Sequence, residues 1–379
     1  MRQSWAIKTL GEVSEIMNGG TPDTTVPKFW DGDYLWITPK DMGKMKGIYI
    51  DDTFRKITDE GLKNSSAKIL PVNSIILSSR APIGHLAINT KPISTNQGCK
   101  GLIPKIGVNT LYLYYFLLNS VELLNSLGTG ATFKELSGSK LATVKIPLPP
   151  LSEQQRIVAI LDEAFTALAK AKANAEQNLK NAKELFESYL QSINAEKKPL
   201  GNLVDIKTGK LNSNAAVEGG KFPFFTCSRE IFAINNYAFD LEAILLAGNN
   251  ASGDFNVKHY KGKFNAYQRT YVITVNKENK VLYRYLYFQL LNSLKEFKEK
   301  SVGANTRFLK LGMIQDMQIA LPNILEQETI VQKLDALSAE TKKLEAVYQA
   351  IINNLDELKK SILQKAFSGE LTKVEVVAS

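Results

Sequence analysis

The sequence predicts an α+β protein built from two similar α/β globular parts, each followed by a long α-helix. The two helices are expected to form an antiparallel coiled coil with pseudo-two-fold symmetry. Three observations predict this. The chain is written twice, with matching segments first 190 and then 173 residues apart. Two segments, from about Leu151 to Ala195 and from Ile324 to Ser368, contain neither proline nor glycine and carry a sustained 4-3 spacing of core-type residues. The positive charge lies outside those segments.

The first globular part spans residues 1–150. With 379 residues and 44% hydrophobic content, the chain can form two domains with structure to spare, and 17 Phe and 14 Tyr supply the apolar surface for their cores. Short β-branched and aromatic runs bounded by turn residues predict strands at Tyr34–Ile37 and Ser74–Leu77. A helix-like apolar stretch, Leu111–Leu124, closes the part. The central helix segment follows over 151–198. Ile157, Leu161, Ala164, Leu168, Ala171, Ala175, Asn178, Ala182, Leu185 and Tyr189 form its seam, with Ser152 as the expected N-cap just after Pro149 and Pro150.

The second globular part, 199–323, repeats the first. Leu10-Gly11-Glu12-Val13 returns as Leu200-Gly201-Asn202-Leu203, and Ile16 and Gly19 return as Ile206 and Gly209. Leu35-Trp36-Ile37-Thr38 resembles Pro223-Phe224-Phe225-Thr226, and Asn96-Gln97 resembles Tyr267-Gln268. Strands are predicted at Ala243–Leu246 and Arg269–Val275, and a helix at Leu282–Phe297. The closest match runs from Ile146 to Gln154 against Ile319 to Gln327, and continues through Ile157, Val158, Leu161 and Asp162 against Ile330, Val331, Leu334 and Asp335. Drifting offsets in the globular parts and a constant one into the helices describe variable loops on a fixed frame. The C-terminal helix segment, 324–372, has the seam Ile330, Leu334, Leu337, Thr341, Leu344, Tyr348, Ile351, Leu355, Leu358 and Ile362. Gly369 is its expected stop, and 373–379 is a tail. A small-residue stripe on the first helix facing Leu, Ile and Tyr on the second suits close packing. About 45 residues of helix span roughly 65–70 Å.

The net charge is +9. Residues 151–198 hold 7 basic and 7 acidic side chains and 324–370 hold 6 and 8, so the rest of the chain carries +11. Basic globular parts on near-neutral helices suit a polyanionic partner. The stretch from Met1 to Gly11 has no apolar core of the kind a secretory signal needs, and no apolar run is long enough to cross a membrane. Two distant cysteines, Cys99 and Cys227, argue against a disulfide framework and fit a reducing cytoplasm; both are expected to be small buried residues.

Catalytic signatures are missing. Gly-Lys pairs such as those at Gly43, Gly209 and Gly262 are not followed by Ser or Thr, as a P-loop requires. No N-P-P-[FY] or D-P-P-Y tetrapeptide of an amino-methyltransferase occurs, nor any Gly-x-Ser-x-Gly elbow. Gly128–Gly130 is a lone Gly-x-Gly in a turn. His85 and His259 have no Cys or His at metal-ligand spacing, so neither a metal nor a cofactor is expected.

Specific segments carry a family likeness. Gly130-Ala131-Thr132-Phe133-Lys134 through Ile146-Pro147-Leu148-Pro149-Pro150-Leu151-Ser152-Glu153-Gln154 resembles the end of a target-recognition domain leading into the central helix of type I restriction–modification specificity subunits. Ser361 through Leu371 is similar to the family's C-terminal helix end. Gly19-Gly20-Thr21-Pro22, Trp36 to Asp41 and Ser78 to Gly84 resemble the first recognition domain. Phe222 to Thr226 and Gly262 to Thr270 resemble the second. The second helix start departs from the pattern, with Ala320 and Asn323 where the first has Pro147 and Pro150.

The resemblance implies a non-catalytic subunit that reads a bipartite, asymmetric double-stranded DNA target. Its implied partners are two S-adenosylmethionine-dependent adenine methyltransferase (modification) subunits and two ATP-driven restriction/translocase subunits. Base readout calls for Arg, Lys, Asn or Gln on groove-reaching loops. The candidates in the first part are Thr38, Lys40, Arg80, Asn96, Gln97 and Lys134. In the second they are Thr226, Arg229, Asn249, Asn250, Gln268, Arg269 and Arg307. Trp36 and Phe225 are assigned to the core, and Ser79 and Ala247 are expected to neighbour turns. The alternatives are a specificity subunit of another restriction system, or a coiled-coil scaffold whose heads bind protein.

Overall fold

The computed structural model describes residues 5–130 and 134–372. The tail 373–379, and Ala131, Thr132 and Phe133 of the family-like segment, lie outside the described residues. The chain divides into two compact units: Met1–Asn174 with Ile351–Ser379, and Ala175–Ala350. Each unit therefore holds one globular part and a portion of each long helix.

In the first unit a five-stranded sheet has Ile75–Ser79 near its centre, paired antiparallel with Cys99–Pro104 on one side and Ile83–Asn89 on the other. All five residues of the central strand are buried, which explains why its apolar residues, Ile75 to Leu77, do not alternate with polar ones. Alternation sends its side chains into two cores. Ile75 and Leu77 join Tyr112, Leu113 and Leu117, whereas Ile76 joins Leu35, Ile37 and Ile93. The predicted helix Leu111–Leu124 is two helices, Thr110–Asn119 and Val121–Leu127, broken at Ser120.

The second unit repeats this construction. Phe239–Ala247 lies between Val257–Ala266 and Thr270–Val275 in a six-stranded sheet. Ile244 and Leu246 join Leu286 and Leu290, and Leu245 joins Phe225 and Phe264. Its helix also breaks at a serine, into Tyr283–Asn292 and Leu294–Lys300 around Ser293. Each head is closed by a two-stranded antiparallel ribbon, Ala6–Thr9 with Lys145–Leu148 and Lys197–Pro199 with Gln318–Ala320. Ser79 and Ala247 are the last residues of central strands, next to the turns they were expected to neighbour.

The long helices run over Leu151–Gln191 and Ile324–Ser368. Ser152 does not cap the first. The amides of Glu153 and Gln154 donate to the Pro150 carbonyl, at 2.9 and 3.1 Å, so Pro150 holds the cap position and Ser152 is already helical. The second helix has a reciprocal cap. The Glu326 amide donates to Asn323 Oδ1 and the Asn323 amide donates to Glu326 Oε2, each at 3.0 Å. Asn323 thus replaces Pro150 as a capping residue. Beyond Ser368 the amides of Glu370 and Leu371 donate to the Lys365 carbonyl, with Gly369 left-handed at φ +79°, as a glycine stop requires.

The helix portions within each unit run antiparallel. In the first, Ile157 and Leu161 share a core with Leu363, Ala366 and Phe367, the Lys359 ammonium lies 4.9 Å from the Phe165 ring, and Lys172 pairs with Asp356 at 2.8 Å. In the second, Leu190 meets Leu334, and Lys333 lies 4.8 Å from the Tyr189 ring. The expected seam needs correction. Ile157, Leu161, Ala175 and Leu334 are buried, and Ala164, Leu168, Ala182, Tyr189, Ile330, Leu337, Thr341, Leu344, Tyr348, Leu355 and Ile362 are partly buried. Ala171, Asn178, Leu185, Ile351 and Leu358 are exposed. Past Leu168 the inward stripe of the first helix passes through Lys172, Ala175, Leu179 and Ala182; it keeps Ala175 and Ala182 but replaces Ala171 and Asn178 by the residues that follow them. A straight helix drifts against a strict seven-residue repeat by roughly 20° per heptad, so an extrapolated register fails.

Candidate nucleic-acid interface

Four segments of each head are stitched together by main-chain hydrogen bonds at the ends of its strands. In the first unit the Asn96 amide donates to the Ile37 carbonyl at 2.9 Å, Ser79 to Gly98 at 2.7 Å and Leu136 to Ser79 at 2.9 Å. In the second, Tyr267 donates to Phe225 at 2.9 Å, Gly248 to Arg269 at 2.8 Å and Leu309 to Gly248 at 2.9 Å. An antiparallel bridge completes each set. Thr129 and Glu135 exchange two backbone bonds, as do Val302 and Phe308. The repeated glycines serve close approach here: a Cβ on Gly19 would stand 1.9 Å from the Asn96 carbonyl oxygen, and one on Gly209 1.9 Å from that of Ala266.

This stitching brings all six candidates of the first head to one loop cluster. Lys40, Gln97 and Lys134 are exposed, and the other three half-buried. Thr38 caps the short helix Pro39–Met42, accepting from the Asp41 amide at 3.3 Å while its hydroxyl donates to the Asp41 carboxylate at 2.6 Å. Asn96 Oδ1 accepts from the Gly98 amide at 2.9 Å. Gln97 accepts from the Thr21 hydroxyl. Arg80 faces Glu135 at 3.8 Å. Thr38 and Asn96 shape the loops, leaving Lys40, Arg80, Gln97 and Lys134 as side chains that can reach outward.

The second cluster collects the other seven. Asn249 and Asn250 pair in register with Phe308 and Arg307. Asn250 Oδ1 gathers the Ser252 amide, the Ser252 hydroxyl and the Asp254 amide, and so builds its own turn. Arg307 is tied down as well, through Nε to Ser301 Oγ at 2.8 Å and through Nη2 to the Ser301 carbonyl at 2.6 Å. Thr226 is buried and accepts from the Ser228 amide at 3.1 Å. Arg229 pairs with Asp254 at 2.6 Å, which holds the Asp254 carboxyl below its ordinary pKa. Gln268 donates to Asn212 Oδ1 at 2.8 Å, and Arg269 is exposed.

Trp36 and Phe225 are buried, as assigned. Cys99 is buried, and desolvation pushes its thiol up to about 12. Cys227 departs from expectation: it is only partly buried and its Sγ donates to the Arg269 carbonyl at 3.3 Å, inside the second cluster.

Each head is joined to its helix by a buried glutamine that the sequence reading aligned without assigning a role. Gln154 Oε1 accepts from the Asn109 amide at 2.8 Å, and its Nε2 donates to the carbonyls of Gly107 and Pro149 at 3.0 and 2.9 Å. Gln327 does the same with Leu282, Lys280 and Pro322 at 2.9, 3.0 and 2.9 Å. The hydroxyls of Tyr112 and Tyr285 donate to the carbonyls of Pro147 and Ala320, each at 2.6 Å. Burial raises both phenol pKa values. All these partners stand 173 residues apart, so the constant offset was the available signal.

The chemistry on offer is hydrogen bonding and positive charge. Among the described residues no group of three or more His, Cys, Asp or Glu is placed to hold a metal ion, and no helix is long and apolar enough to cross a membrane. His85 Nδ1 lies 3.4 Å from the Pro39 carbonyl, and His259 pairs with Glu242 at 2.9 Å beside Tyr283.

The sequence pattern of a family described as the type I restriction modification DNA specificity domain matches residues 2–179 and 193–353. The MjaIX specificity subunit of a type I restriction enzyme, from Methanocaldococcus jannaschii, is 29% identical over 416 aligned residues, covering 97% of this chain and 94% of the relative. The EcoDI specificity subunit from Escherichia coli is 42% identical over 174 residues, 46% of this chain and 38% of the relative. In structure, a chain described under complex assembly and conformational transition of the type I R-M system aligns at TM-score 0.78 and 18% identity, over 98% of this chain and 99% of its own. The HsdS subunit from Thermoanaerobacter tengcongensis aligns at TM-score 0.56 and 17% identity, over 98% of both chains.

Proposed function

The chain belongs to the family of type I restriction–modification DNA specificity subunits, and from that premise we propose that its two heads read the two halves of a bipartite, asymmetric target in double-stranded DNA. Support comes chiefly from one observation. Two loop clusters are stitched by equivalent main-chain bonds but present unlike side chains: Lys134 stands where the second head has Arg307, and Asn96-Gln97 where it has Tyr267-Gln268. A duplicated frame with unlike reading groups selects two different half-targets, so the whole target is not palindromic.

The division of labour follows. Exposed Lys40, Lys134, Arg229 and Arg269 supply phosphate and base contacts, while Thr38, Asn96, Thr226, Asn250 and Arg307 hold the loops in shape. Asn249, Gln97, Gln268 and Arg80 complete the reading set. We assign residues 1–150 and 199–323 as the recognition domains, 151–198 and 324–372 as the helices that set the unread spacer, and 373–379 as a tail. The chain carries no reaction of its own. Two adenine-methylating subunits and two ATP-driven restriction subunits assemble on it in the cytoplasm. The closeness of both Gln clamps to the helix starts supports a rigid transmission from head to helix.

Deleting the gene tests this reading. A bipartite methyladenine motif is expected to vanish from the host genome, and the reconstituted complex is expected to lose affinity steeply as salt rises, because Lys and Arg displace counterions from DNA. An unchanged methylome, or salt-insensitive binding to a protein instead of DNA, contradicts it.

A further inference from the structure

Beside the backbone bridge between Thr129 and Glu135, the first head contains a recess of 860 Å³. Its lining includes Asn18, Lys100, Thr129, Glu135, Ser137 and Ser139. Lys100 is only 6% exposed. Its ammonium makes no hydrogen bond and no ion pair within 4 Å among the described residues. The stem is buried while the ammonium opens into the recess, where the Glu135 carboxylate acts on it electrostatically. Burial pulls the Lys100 pKa below its ordinary value.

The second head supplies an internal comparison. Lys100 pairs in register with Asn18 and Leu77, and Tyr271 pairs with Thr208 and Leu246. The two residues thus hold the same place in the repeated sheet. Tyr271 is satisfied, its hydroxyl donating to the Leu309 carbonyl at 2.8 Å, and the cavity it lines is only 290 Å³. At this place the first head has a larger recess and, in it, an ammonium that makes no hydrogen bond among the described residues.

We propose that Lys100 is a specificity-determining residue, donating from this recess to the acceptor edge of a guanine in the half-target read by the first head, while Glu135 accepts from the amine of the paired cytosine. The proposal rests on the reading of the chain as a DNA-specificity subunit. A phosphate presents only acceptors and would meet the Glu135 carboxylate unfavourably. A G·C pair presents guanine N7 and O6 as acceptors and cytosine N4 as a donor in the major groove. Lysine and carboxylate together match that mixed pattern, and Arg80, 3.8 Å from Glu135, holds the carboxylate in place.

The test uses the complex reconstituted with its modification subunits, methylating a randomised DNA library. The wild-type complex must yield a bipartite motif; if it does not, the specificity-subunit reading fails, independently of Lys100. Given that motif, Lys100→Met is expected to lower the preference for guanine at one position of the first half by about tenfold or more, with the second half unchanged. Glu135→Gln is expected to relax the same position, and Lys100→Arg to keep the guanine. An unchanged motif for Lys100→Met overturns the proposal. So does uniformly weaker binding with a shallower salt slope and the same motif, which marks a phosphate contact. Failure of both Lys100 variants to assemble also overturns it, because it makes Lys100 a structural residue.

Discussion

At the scale of single residues, the most consequential side chains are two glutamines whose hydrogen bonds tie each head to the start of its helix. Gln154 and Gln327 each satisfy one amide and two carbonyls in a buried place. Replacing either by leucine strands those groups, and each unsatisfied buried group costs roughly 1–3 kcal/mol. Gln154→Leu and Gln327→Leu are expected to destabilise by about 3 kcal/mol or more, as measured by urea unfolding. The cysteines offer a second check. Cys99, with its thiol pushed up to about 12, is expected to resist alkylation in the folded chain at neutral pH, whereas Cys227 reacts; mass spectrometry before and after denaturation distinguishes the two. Because folding raises the Cys99 thiol above its ordinary 9.0 and the Tyr114 phenol above 10.0, each to about 12, their contributions are fully present below about pH 9. They are lost as the pH rises toward 12, where the unfolded chain gains by ionising first. Stability is expected to fall across that alkaline window in a pH series of thermal unfolding. Sequence reading found the loop residues through their chemistry but could not separate reach from scaffold: Thr38, Asn250 and Arg307 belong to residue types that read bases, yet their polar groups are spent on neighbouring backbone and side chains.

At the scale of elements, the long helices were legible because proline and glycine are missing over the right length and a glycine stop closes the second. Their start and their face were not. A serine after two prolines resembles a cap, but the chain turns helical two residues sooner, and the cap falls to Pro150 in one helix and Asn323 in the other. Asn323→Ala is expected to cost about 1 kcal/mol of stability. The inward face drifted because a seam extrapolated from Ile157 accumulates angular error along the helix. Leu161→Ala, which empties a fully buried site, is expected to destabilise by roughly 2–5 kcal/mol. Leu185→Ala, at a residue 59% exposed, is expected to cost less than about 1 kcal/mol. Equal losses in calorimetry would restore the expected seam and contradict the observed one.

At the scale of the whole molecule, duplication was the strongest signal, since a constant offset of 173 residues links the second strands of the ribbons, the glutamine clamps and the helix starts. The heads were harder to align. Insertions between anchors shift the offset, and the strand register fixes Lys100 and Tyr271 in one place, three residues beyond the Gln97 and Gln268 match. The division into two units, each drawing on both long helices, was not readable from linear order, which assigns each helix to the head before it. Two heads on one frame, differing where the loops converge, make recognition modular. The most direct test exchanges residues 1–150 for the corresponding head of another family member and sequences the methylated genome of the host. One half of the bipartite methyladenine motif is expected to change to the donor's half, with the other half unaltered. Change in both halves, or in neither, would contradict the assignment of one half-target to each head.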